Sequence, residues 1–115
     1  MRTSALAAAL FAAAIAATAC GSARRAEPLV GPFATSDPAL QRGRVAYDLY
    51  CYKCHGDGEG ALGPAINDKP LPRFLMRLQV RAGLGAMPSF SRADLSDREL
   101  DDIVDYLVAI RRHGR

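Results

Sequence analysis

Cys51 and Cys54 stand three positions apart and His55 follows directly, in the run Cys51-Tyr52-Lys53-Cys54-His55. Two thiols and an imidazole at this spacing support four chemistries: a redox dithiol, half of a zinc site, a disulfide, or covalent attachment of a haem. A redox dithiol wants a strand-to-helix context, which the flanking residues do not supply. A zinc site wants a second pair of ligands, and only His113 and scattered carboxylates remain. Haem attachment has a mechanical reason. Two thiols so placed reach the two vinyl groups on one side of a porphyrin and form thioethers, and the adjacent imidazole then lies under the iron as an axial ligand.

An iron held by His55 on one side leaves a second axial position. Gly85-Ala86-Met87-Pro88 offers a thioether in an irregular, Pro-stiffened segment downstream. A soft sulfur opposite an imidazole favours ferrous iron and raises the reduction potential. Met76 is the rival sulfur, but it sits beside Leu75 in a helical stretch, where core packing is the plain reading. His113 is expected at the frayed end beyond the last helix and reads as a solvated tail residue. The expected metal ligands are therefore His55 and Met87.

The elements that must position these groups are helical. Asp37 is a good cap and Pro38 suits the first helical position. Leu40, Gly43, Tyr47 and Tyr50, with Val45 and Leu49 nearby, follow helical spacing into Cys51. Gly56 to Lys69 is a loop rich in Gly and Asp, with Pro64 inside it. A second helix is expected over about Pro72 to Arg81, with Phe74, Leu75 and Leu78 on one face and Gly83 and Gly85 ending it. The last helix opens with a capping box, Ser96-x-x-Glu99. Leu100, Ile103, Val104, Leu107 and Ile110 line its apolar stripe, and Arg111 and Arg112 suit its C-terminal dipole. There is no strand pattern and no repeat. So small a helical core is marginal without a staple, and a large apolar cofactor would supply one.

The N-terminal residues carry a different signal. Arg2 is followed by a nearly unbroken apolar run from Ser4 to Ala19, ending in small residues. That is an export pattern, so residues 1–19 are expected to be a signal. Thr18-Ala19-Cys20-Gly21 is similar to a bacterial lipobox, although Ala17 stands where a larger aliphatic is usual. Cys20 is thus a lipidation candidate and residues 20–36 a linker, the alternative being a soluble periplasmic protein cut after Ala19. The folded part is expected over 37–115, at the periplasm or the outer face of a bacterial envelope. Export agrees with haem attachment, which takes place outside the cytoplasm. The net charge of +3 falls to +2 once Arg2 leaves with the signal, which gives no reason to expect a nucleic acid partner.

These features resemble the class I c-type cytochromes in their short bacterial form. Gly43-x-x-x-Tyr47 is similar to the family's N-terminal helix, Ile103 and Tyr106 match the positions that pack on it, and His55-Gly56-x-Gly58-x-Gly60-x-x-Gly63-Pro64 matches the loop after the haem motif. Arg81-x-Gly83-x-x-x-Met87-Pro88 extends the likeness, which covers about Asp37 to Ile110. The resemblance implies an all-α fold whose N- and C-terminal helices cross over one covalent haem c. It also implies that the Pro64 carbonyl accepts the His55 Nδ1–H bond. The chain has no Trp, which in some members binds a propionate; Arg81, Arg77 or a Tyr hydroxyl would serve instead. Arg73, Arg77 and Arg81 form a basic stripe, readable as a propionate contact for Arg81, a docking patch for an acidic partner, or a solvated face. The function implied is one-electron transfer between redox protein partners, respiratory proteins or dehydrogenases, with no catalysis of its own. The alternatives are a haem-bearing subunit of a redox enzyme, or a haem peroxidase or gas-binding module, which needs an open sixth site and a distal acid–base residue.

Overall fold

The computed structural model describes residues 33–67, 69 and 71–113. The export pattern, Cys20 and the linker up to Pro32 lie outside the described residues. The described residues form four helices: α1 (Pro38–Tyr50), α2 (Tyr52–His55), α3 (Arg73–Ala82) and α4 (Asp97–His113). The only β-type pairing among them is an isolated bridge between Leu84 and Met87. The fold is all-α.

Local signals set the ends of the helices. Asp37 has extended backbone and its Oδ1 accepts from the Ala39 N–H at 2.8 Å, with Pro38 next in line. At α4 the capping box closes both ways: the Ser96 N–H donates to Glu99 Oε2 at 2.9 Å and the Glu99 N–H to Ser96 Oγ at 3.2 Å. Helix α3 runs to Ala82 and ends at Gly83, whose φ of 70° favours glycine and whose N–H returns to the Gln79 carbonyl.

The centre of the fold is the crossing of α1 over α4. A Cβ built on Gly43 would lie 2.1 Å from the Asp102 carbonyl oxygen, so the two helices meet backbone to backbone there. Around that point Ala46, Tyr47, Ile103, Val104, Tyr106 and Ile110 are buried together, with the Tyr47 and Tyr106 rings 5.5 Å apart. Val45 and Leu49, on the far side of α1, stay 70% and 72% exposed, so the packing face of that helix is narrower than its apolar content suggests. Phe33 also joins this core, its ring tilted against Tyr106 at 5.9 Å and edge-on to His113.

Helix α3 is held differently. Val80 is its one buried side chain, with Met76 partly packed on the core, while Phe74, Leu75 and Leu78 are exposed. Its basic stripe is turned onto α4: Arg73 pairs with Asp105, Arg77 with Asp101 and Arg81 with Asp97. Steps of four residues run in opposite directions along the two helices, which makes an antiparallel ladder of three ion pairs. The basic stripe is thus paired within the protein, while Arg73 and Arg77 stay 47% and 36% exposed on a solvated face. Arg111 secures the segment before α3 by donating to the Lys69 and Leu71 carbonyls.

Candidate functional site

Cys51 is the joint between α1 and α2. Its N–H still returns to the Tyr47 carbonyl at 2.8 Å, while its own carbonyl accepts from Cys54 at 3.1 Å and His55 at 3.0 Å. One tight turn thus carries both thiols and the imidazole. Cys51 is half-buried and Cys54 exposed, and both are free thiols. Burial, with Cys54 nearby, pushes the Cys51 thiol up to about 12.

The loop after the turn folds back beneath His55. The Gly58 and Gly60 N–H groups both reach the His55 carbonyl, and Gly63 N–H reaches the Cys54 carbonyl at 2.6 Å. This brings the Pro64 carbonyl 2.9 Å from His55 Nδ1. With Nδ1–H donating to Pro64, Nε2 is the nitrogen left to bind a metal. A Cβ at Gly63 would lie 2.7 Å from His55 Cε1, so only glycine leaves room for the ring. Sequence reading missed a further support: the buried Tyr47 hydroxyl donates to the Gly56 carbonyl at 2.8 Å. Desolvation raises the Tyr47 phenol strongly, so it remains a neutral donor. The buried Tyr four residues before the first thiol was visible, but its acceptor was not.

Met87 closes a tight turn with Leu84, through Leu84 N–H to Met87 O at 3.2 Å and Met87 N–H to Leu84 O at 3.0 Å. Its side chain is half-buried against the core, and Gln79 Nε2 approaches its sulfur at 3.9 Å. Met76 packs on the core from within α3. His113 is exposed beside Phe33. Arg81, expected to reach a haem propionate, is instead engaged within the protein. Its Nη1 donates to the carbonyls of Phe90, Ser91 and Leu95, and its Nη2 to Asp97 at 2.7 Å. These acceptors become available because α3 and α4 pack side by side.

The residues present fit a haem. Leu62, Leu71, Phe74, Leu75, Leu78 and Leu84 are large, apolar and exposed, and all lie between His55 and Met87 in the chain. A flat apolar macrocycle is the kind of group that covers such surface. Cys51 and Cys54 would hold it, and His55, its Nδ1 engaged by Pro64, would present Nε2 to the iron.

Comparison with known proteins agrees. The family model described as cytochrome c oxidase, cbb3-type, subunit III matches residues 38–107. The cytochrome c subunit of 4-cresol dehydrogenase [hydroxylating] from Pseudomonas putida is 31% identical over 77 residues, 67% of each chain. Cytochrome c6 of Cyanidioschyzon merolae is 30% identical over 83 residues, 65% of this chain and 78% of that one. Cytochrome c6 of Cyanidium caldarium is 31% identical over 80 residues, 61% and 70% of the two chains. No solved structure matches.

Proposed function

The chain belongs to the cytochrome c family, an electron-transfer protein with covalently bound haem c, and we propose that it is a one-electron carrier with His55 and Met87 as axial ligands. The haem iron, when bound, supplies the reversible one-electron couple. The residues of this chain do the rest. Cys51 and Cys54 hold the group as thioethers. Pro64 orients the imidazole and Gly63 makes room for it. The Leu84–Met87 turn presents a thioether from the far side. Tyr52, Lys53, Ala86 and Pro88 flank the edge through which electrons pass to a partner.

The observation that carries this reading is the 2.9 Å approach of His55 Nδ1 to the Pro64 carbonyl, which leaves Nε2 to coordinate. Changing Cys51 and Cys54 to Ala should abolish haem that survives acid-acetone extraction. Met87→His should lower the midpoint potential and abolish the weak sulfur-to-iron charge-transfer band of the ferric protein, while Met76→Leu keeps it. The reverse pattern moves the ligand to Met76. Carbon monoxide binding to the native ferrous protein would favour the peroxidase or gas-binding alternative.

The likeness to a dehydrogenase cytochrome subunit favours one class of donor, a dehydrogenase catalytic subunit to which this chain docks. Purification in mild detergent tests this: a co-purifying dehydrogenase supports it, and a terminal oxidase alone points to the other side of the chain. We place the protein outside the cytoplasm, tethered through lipidated Cys20. Mass spectrometry of the mature N-terminus decides, since an unmodified Cys20 means a soluble form.

A further inference from the structure

The segment from Gly83 to Leu95 carries Met87 and has few apolar anchors. Leu84 is 73% exposed, and Gly85, Ala86, Pro88 and Ser89 are exposed as well. Phe90 rests edge-on against Tyr50 at 6.0 Å, and Leu95 is buried. One backbone bond ties the far side of the Met87 turn to α3, from Phe90 N–H to the Val80 carbonyl at 3.0 Å. Two side chains add weak or exposed contacts, Gln79 Nε2 at 3.9 Å from the Met87 sulfur and the 79% exposed Arg92 on Asp97 at 2.8 Å, and the main closure comes from one more. Arg81, two residues before Gly83, sends Nη1 to Phe90 O at 3.1 Å, Ser91 O at 3.0 Å and Leu95 O at 2.7 Å, and Nη2 to Asp97 Oδ1 at 2.7 Å. Its side chain is 20% exposed, against 47% for Arg73 and 36% for Arg77 in the same ladder.

From this geometry we infer that Arg81 is the positioning residue for the Met87 ligand. It closes the loop that presents the sulfur, and its loss opens the sixth site to outside ligands. The inference rests on the reading of Met87 as a ligand. Three carbonyls and a carboxylate suit the fixed fork of a guanidinium and cannot all be met by an ammonium. With the fork gone, those carbonyls lose their donor and the loop regains the freedom that closure removed. Met87 then spends more time off the iron, and the apparent affinity of any competing ligand rises in proportion to the open fraction.

The test uses the haem-loaded protein. Imidazole is titrated into the ferric form and carbon monoxide into the ferrous form, with covalent haem and far-ultraviolet circular dichroism checked in parallel. Arg81→Met should bind imidazole at least about tenfold more tightly than wild type, take up carbon monoxide readily and show a lowered midpoint potential. Arg81→Lys should shift the same way by less. Arg73→Gln, at the far end of the ladder, should match wild type in every readout. Wild-type imidazole and carbon monoxide behaviour in Arg81→Met overturns the inference, as does an equal shift in Arg73→Gln. Should Arg81→Met not retain its helix, Arg81→Lys decides: a shift supports the inference and wild-type behaviour overturns it. Met87→Ala separates the two readings. If it keeps the sulfur-to-iron band, the ligand assignment falls and this inference with it. If it loses the band while Arg81→Met binds imidazole as wild type does, only the inference falls.

Discussion

Gly43→Ala is a small change with a large expected effect. The added Cβ would lie 2.1 Å from the Asp102 carbonyl oxygen, 2.7 Å from its carbonyl carbon and 3.0 Å from Tyr106 Cβ. Ordinary contact begins near 3.4 Å, so α1 and α4 must part by about 1.3 Å at their crossing. The obstacle is backbone, and no rotamer change relieves it. Alanine gains about 1 kcal/mol in helix propensity, against an overpacking cost of about 1–3 kcal/mol. Parting the helices also loosens Tyr47, Ile103 and Tyr106, which surround the crossing. The net expectation is destabilisation by about 1 kcal/mol, or a fall in melting temperature of roughly 6 °C for a domain of this size. The assay is thermal and denaturant unfolding of the haem-loaded protein followed by circular dichroism. Val45→Ala, on the exposed back of the same helix, is the control and should stay within about 0.5 kcal/mol. A Gly43→Ala protein as stable as wild type would refute the close crossing.

Tyr47→Phe leaves the Gly56 carbonyl without its donor and should cost about 1–3 kcal/mol in urea unfolding. Because burial raises the Tyr47 phenol above its ordinary value of 10.0, its contribution is complete below pH 10 and is lost as pH rises further; Tyr47→Phe should flatten the alkaline fall in stability, and an unchanged slope would count against a buried phenol. At the other extreme, Arg92 first and Arg81 second hold the Asp97 carboxyl below its ordinary 3.8. Its contribution is present above pH 3.8 and disappears as pH falls through the lower folded value, so an acid titration of Asp97→Asn should show a shallower decline than wild type. Changing Arg73 and Arg77 together to Gln should cost on the order of 1 kcal/mol, yet leave the rate with an acidic redox partner unchanged at every ionic strength, because Asp105 and Asp101 already occupy those arginines. A slower, less salt-dependent reaction would return them to the docking surface.

Much of the molecule was legible in the residues alone because the relevant physics is short-range. The Cys51–His55 spacing sets two thiols and an imidazole on one turn, which narrows the chemistry to a few classes. Asp37 before Pro38, Ser96 with Glu99, and Gly83 after α3 act on backbone groups within four residues of themselves, so helix limits drawn from them agree with the structure to within a residue or so. Gly43 and Tyr106 could be paired only through resemblance. What the tertiary structure alone decided was which way each face turned. Nothing local distinguishes an arginine row aimed at solvent, at a propionate or at a neighbouring helix; only the side-by-side packing of α3 and α4 sets Asp97, Asp101 and Asp105 opposite Arg81, Arg77 and Arg73. Likewise Val45 and Leu49 carry the apolarity of core residues and lie outside, while Phe33, in a Pro- and Gly-rich stretch, lies inside against Tyr106. Burial and ion pairing are properties of surfaces that meet, and these surfaces come from residues up to 80 positions apart in the chain.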